Sequence, residues 1–182
     1  MDLKRDADRI IRAALQKVMP DEAVAQALAG KAFGGGRVYL VEAGKAAWQI
    51  AKTAISILAD RLQARVSVKK YRHVKGQIPM VRCFEAGHPV PDENSFRGTQ
   101  AALDLVENLK REDTVIFLLS GGGSALFEKP LTDGRELSEL TEQLLTCGAD
   151  ITEMNTIRKR LSAVKGGRFA KACAPARVYS IV

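Results

Sequence analysis

The first eighteen residues place apolar side chains at Ile10, Ile11, Ala14, Leu15 and Val18. Steps of three and four predict a helix with these residues on one stripe. Pro20 restarts the chain, and a second short helix is expected from Asp21 to about Ala29, closed by Gly30. Gly34, Gly35 and Gly36 then lead into Arg37–Ala43, a short β-prone run of the kind that forms a buried strand. Gly44 turns that strand into a helical stretch from Lys45 to about Leu62. The pattern changes to period two from Ala64 to Lys70, where Val66 and Val68 alternate with polar residues. Another strand is expected near Met80 to Glu85, with 74–79 as the loop between the two.

The turn formers of Gly87–Ser95 precede a helix predicted to run to Lys110, with Asp92, Asn94 or Ser95 available as its cap. Ala101, Ala102, Leu105, Val106 and Leu109 form its apolar stripe. Thr114–Leu119 is an unbroken apolar run suited to the centre of a parallel sheet covered on both faces, and it ends in Ser120-Gly121-Gly122-Gly123-Ser124. Helices are expected over 136–146 and 152–172, the second interrupted by Gly166 and Gly167, before a last apolar segment over 177–182. The alternation predicts a Rossmann-like layered α/β fold, a mainly parallel sheet flanked by helices. Its ligand site should lie at the carboxyl ends of the strands. Residues 1–33 are a helical lead-in and about 37–182 the α/β body.

Composition narrows the class. A chain of 182 residues, 46% hydrophobic and 27% charged, is the size of one domain; a disordered tail, a collagen-like fibre and a membrane-embedded protein are excluded. No apolar run reaches eighteen residues, and the charged start MDLKRDADR does not suit a signal peptide, so a cytoplasmic protein that does not enter membranes is expected. Cys83, Cys147 and Cys173 lack metal or disulfide spacing and are expected as small buried apolar side chains. The formal charge of +7 is concentrated: residues 151–182 carry seven bases against the single acid Glu153. That segment is either a solvated basic face or one that seeks phosphate, nucleic acid or an acidic neighbouring domain.

Three groups of residues could carry chemistry. The loop Ser120, Gly121, Gly122, Gly123 and Ser124 directly follows a buried strand. Its glycines allow positive φ and close approach of a ligand, its amides can hold phosphate, and the turn through Ala125 and Leu126 adds a positive helix end. The alternative is a tight strand-to-helix turn. Lys45 follows Gly44 at the end of the first strand, so its ammonium should project at the same sheet edge, where it could neutralise a phosphoryl group. Asn155, Arg158, Ser162 and Lys165 share a face if their helix is continuous and could grip a carboxylate or phosphates. His73 and His88 have no metal-site neighbours and are expected as structural or surface residues, and no metal ligand set is visible. Walker A, G-x-G-x-x-G and G-x-S-x-G sequences are absent. With 5% aromatic residues and no interleaving of bases and rings, nucleic acid is not an expected partner.

Four segments in order, Val41–Ala47, Gly87–Gln100, Phe117–Leu126 and Glu153–Gly167, resemble the type-2 glycerate kinases, a family whose members are often named hydroxypyruvate reductases. The resemblance implies the N-terminal domain of a two-domain kinase, with a smaller C-terminal domain of the MOFRL type absent from a chain truncated at its C-terminus. It implies ATP-dependent phosphorylation of glycerate to 2-phosphoglycerate with Mg²⁺. Lys45 then corresponds to the family's cleft lysine and Ser120–Ser124 to its phosphate loop. Asn155, Arg158 and Lys165 are candidates for the glycerate carboxylate or the nucleotide phosphates. The partners implied are glycerate and the missing domain, with oligomerisation open. Competing readings are a hydride-transferring hydroxypyruvate reductase and a noncatalytic phosphate- or nucleotide-binding module.

Overall fold

The computed structural model describes residues 2–73 and 81–182. The loop expected over 74–79, and Met80, lie outside these residues. Five strands form one sheet: β1 (Val38–Ala43), β2 (Leu62–Lys70), β3 (Val81–Ala86), β4 (Thr114–Leu119) and β5 (Arg177–Ile181). Their spatial order is β3-β2-β1-β4-β5, and every neighbouring pair is parallel. All six residues of β1 are buried, because this strand sits between β2 and β4 with a layer on each face. On one face Val38 and Leu40 pack with Ile116 and Leu118 against α2 (Pro20–Leu28) and α3 (Ala47–Leu58). On the other, Tyr39, Val41 and Ala43 join Val66 and Val68 beneath α4 (Glu93–Leu105). The two apolar layers that close a parallel sheet are thus both present.

Local signals set most element ends. Asp92 caps α4 by accepting the Ser95 N–H at 2.9 Å, while the Ser95 hydroxyl accepts the Asp92 N–H at 3.2 Å, a reciprocal capping box. The helix stops at Leu105, short of the expected Lys110. α3 begins at Ala47 and ends at Leu58, followed by a single 3₁₀ turn over Ala59–Arg61. After the glycine loop come α5 (Gly123–Leu126), α6 (Gly134–Thr146), α7 (Ile151–Arg160) and α8 (Arg168–Ala172). The helix expected over 152–172 is therefore two helices.

Other expectations change on burial. α1 (Leu3–Lys17) forms as predicted, yet none of its residues is buried, and Ile10, Ile11, Leu15 and Val18 are exposed. The polar residues of β2 do not face water: Ser67 and Lys69 are fully buried on the α3 face of the sheet, beside Glu42. Cys173 is buried as expected, but Cys83 and Cys147 are exposed. Among the described residues no helix is long and apolar enough to cross a membrane.

Candidate phosphate-binding cleft

β1 and β4 are the neighbours at which the sheet order reverses, one half running outward through β2 and β3, the other through β5. A crevice at the carboxyl ends of such a pair is where open α/β sheets bind ligands. The turn after β1 carries Gly44 and Lys45, and the turn after β4 carries Ser120–Ser124. The two turns are stitched together. The Lys45 N–H donates to the Gly121 carbonyl at 2.9 Å, the Ala46 N–H to the Ser120 hydroxyl at 3.1 Å, and the Ser120 N–H to the Ala43 carbonyl at 2.9 Å. Gly44 permits this approach: its φ is +134°, and a Cβ there would overlap the Ser120 hydroxyl.

Gly122 adopts φ +85° as the cap of α5. Among the described residues the N–H groups of Gly121, Gly122 and Ser124 donate to no protein acceptor. They are available to an anion, as the sequence suggests. A Cβ placed on Gly122 would lie 3.3 Å from Lys45 Cε, so the exposed lysine side chain and the glycine loop face the same space. Lys45 also lines a hollow of about 410 Å³ with Trp48, Gln49, Arg72 and His73. The His73 Nδ1 lies 3.1 Å from the Lys45 carbonyl.

The basic residues of α7 and its sequel reach the loop from behind. α7 ends at Arg160, so Ser162 and Lys165 come from the turns that follow rather than from one helical face. Arg158 and Lys165 nonetheless converge on Glu128, which is fully buried. Lys165 Nζ is 2.6 Å from the Glu128 carboxylate, and the Arg158 guanidinium 3.9 Å from it. Both also donate to the Ser124 carbonyl, at 2.7 Å from Lys165 and 3.1 Å from Arg158. Burial pushes the pKa of Lys165 down, and the adjacent Glu128 opposes that shift. The single carboxylate offsets one of the two positive charges, and both side chains hold the Ser124 carbonyl of α5. Asn155 and Lys165 both border a hollow of about 290 Å³ with Ser124 and Lys159, floored by Phe117, Phe127 and Phe169. Arg168 turns onto the Lys159 and Ser162 carbonyls, which fixes the direction of its guanidinium.

One residue with no assigned role in the sequence enters the cleft. His88, two residues past β3, packs its ring against Gly122: a Cβ on that glycine would stand 2.8 Å from His88 Cδ2 and 2.9 Å from Nε2. Burial, together with the charges of Lys45, Lys70 and Arg158, lowers its pKa below the ordinary histidine value. The only hint in the sequence was its place in a turn-rich segment after a strand, which is the carboxyl edge of the sheet.

The comparisons with known proteins agree with this architecture. A family model described as a domain of unknown function, DUF4147, matches residues 6–182. The chain is 48% identical over 182 residues to D-glycerate 2-kinase of Thermotoga maritima, covering 99% of itself and 43% of that protein. It is 40% identical to glycerate 2-kinase of Pyrococcus horikoshii, covering 94% of itself and 41% of that protein. The crystal structure of the glycerate kinase from Thermotoga maritima superposes with a TM-score of 0.88 at 47% identity, over 98% of this chain and 43% of that one. The chain therefore spans about two fifths of the length of the curated relatives it matches.

Proposed function

We propose, because this chain belongs to the DUF4147 family and corresponds to the N-terminal portion of glycerate kinases, that it carries the phosphate-binding wall of an enzyme transferring the γ-phosphoryl group of ATP to the 2-hydroxyl of glycerate. One observation carries the reading: at the switch point of the sheet the Lys45 side chain shares its space with a glycine loop whose amides are open. Ser120–Ser124 cradle phosphate through those amides and the Ser124 hydroxyl. Lys45 neutralises charge on the transferring group, which is most of what a protein contributes to phosphoryl transfer. Asn155 contacts the nucleotide from the mouth of the second hollow. Arg158 and Lys165 hold the loop from behind through Glu128 and the Ser124 carbonyl, and so fix the phosphate cradle before ligand arrives.

Mg²⁺ bound with the nucleotide supplies further neutralisation of phosphate charge. Among the described residues no group of three or more His, Cys, Asp or Glu is placed to hold a metal ion, so no ligand is assigned to it. On this reading residues 1–182 form one wall of a cleft closed by a second domain of the MOFRL type, working in the cytoplasm where ATP is supplied.

The test is an assay of the native gene product with Mg-ATP and D-glycerate, following 2-phosphoglycerate by ³¹P resonance. A separate arm supplies NAD(P)H and hydroxypyruvate. Glycerate phosphorylation, with kcat lowered about 10²- to 10³-fold by Lys45→Ala, is expected. Nucleotide binding without turnover would favour a binding module, and oxidation of NAD(P)H would favour the reductase.

A further inference from the structure

We propose that His88 is a catalytic residue of the reaction described above, its Nε2 taking the proton of the attacking hydroxyl; the assignment rests on the kinase reading. In the step, the 2-hydroxyl oxygen bonds to the γ-phosphorus as its O–H proton passes to His88 Nε2. The bond from that phosphorus to the β,γ-bridging oxygen breaks, its electron pair leaves with ADP, and the imidazolium returns its proton to solvent. Atoms and charge balance without a further reactant.

Position comes first. His88 and Lys45 flank the same point of the loop: a Cβ on Gly122 would stand 2.8 Å from His88 Cδ2, 2.9 Å from its Nε2 and 3.3 Å from Lys45 Cε. A phosphoryl group seated on the loop amides is therefore within reach of both side chains. A catalytic base must stand within hydrogen-bonding distance of the hydroxyl it relieves, and His88 is poised at the edge of that space.

Chemistry separates His88 from its neighbours. Lys45, Lys70 and Arg158, which face it from the turn after β1, the end of β2 and α7, are cationic donors. The nearby carboxylates are engaged: Asp92 accepts the Ser95 N–H and the Tyr71 hydroxyl, and Glu128 is buried against Lys165. The Ser120 hydroxyl is fixed by the Ala46 N–H. Burial and the three cations lower the pKa of the ring, which favours its neutral form, and that form carries a lone pair that the cations lack. His73, the other histidine of the chain, is joined instead to the Lys45 carbonyl on the Trp48 side of the lysine.

The experiment compares the native gene product with its His88→Gln, His88→Ala and His73→Gln forms, each checked for an unchanged thermal melt. For His88→Gln, kcat with Mg-ATP and D-glycerate should fall about 10²- to 10⁴-fold. KM for each substrate should stay within about threefold, and the acidic limb of the pH profile of kcat/KM should vanish. Added imidazole should restore part of the lost kcat to His88→Ala, a rescue that a merely structural histidine would not show. A parent with no glycerate kinase activity overturns the kinase reading and this assignment together. An active parent overturns this assignment alone if His88→Gln keeps kcat within about threefold, if imidazole restores nothing to a folded His88→Ala, or if His73→Gln and not His88→Gln removes the acidic limb.

Discussion

Glu42, buried within β1, meets surroundings opposite to those of the exposed Lys45 in the turn that follows. Glu42 is 1% exposed on the α3 face, and burial pushes its carboxyl up to about 7, against the lowering influence of Ser67, Lys69 and Arg65. The unfolded chain releases that proton near 4.5, so between about pH 4.5 and 7 the folded form holds more protons than the unfolded one. Stability should fall as pH rises through this window, by about 3 kcal/mol, and level off above it. Urea midpoints at pH 5 and pH 8 should show this fall in the parent and a smaller one in Glu42→Gln. Gly44→Ala should cost about 2 kcal/mol or more in the same measurement, because its φ and its contact with Ser120 both exclude a side chain. The positions of Lys45 and Ser120–Ser124 were legible in the sequence because each is fixed by the strand it follows. That of His88 was not, since its contact with Gly122 joins two turns brought together only by the parallel alignment of the strands.

Helix ends show which local signals dominate and which are overruled. The Asp92 capping box was visible as a string of turn formers, and Asp92→Ala should lower the unfolding free energy by about 1 kcal/mol. The break between α7 and α8 was only half visible. Gly166 and Gly167 marked the later end of the interruption, but nothing in the sequence showed that Arg158 and Lys165 would find a counter-ion in Glu128, thirty and thirty-seven residues away. That buried pairing replaces the single helical face expected from their spacing. Glu128→Ala leaves two largely buried cations without their partner, and a loss of about 3 kcal/mol or more is expected in chemical denaturation. It should also loosen α5, since Lys165 and Arg158 hold the Ser124 carbonyl from the same positions.

At the level of the whole molecule, the alternation of strands and helices was enough to give a parallel sheet, whereas the order of its strands had no local signature. The same limit explains α1: the periodicity is real, but a stripe records only that a helix has an apolar side, and here that side stays exposed. Ile10→Asp should therefore change the unfolding free energy by less than about 0.5 kcal/mol, in contrast to substitutions in α3, whose Ile50 and Ala54 lie in the core. The stitching of the first turn to the fourth strand's turn has a mechanical corollary. With the Ala46 amide anchored on a hydroxyl from the opposite turn, neither rim of the crevice can shift without tugging the other, so the two should behave as one jaw. Solvent deuterium should then reach the Lys45 and Ala46 amides at matched rates, and an occupant resting solely against the glycines should slow both.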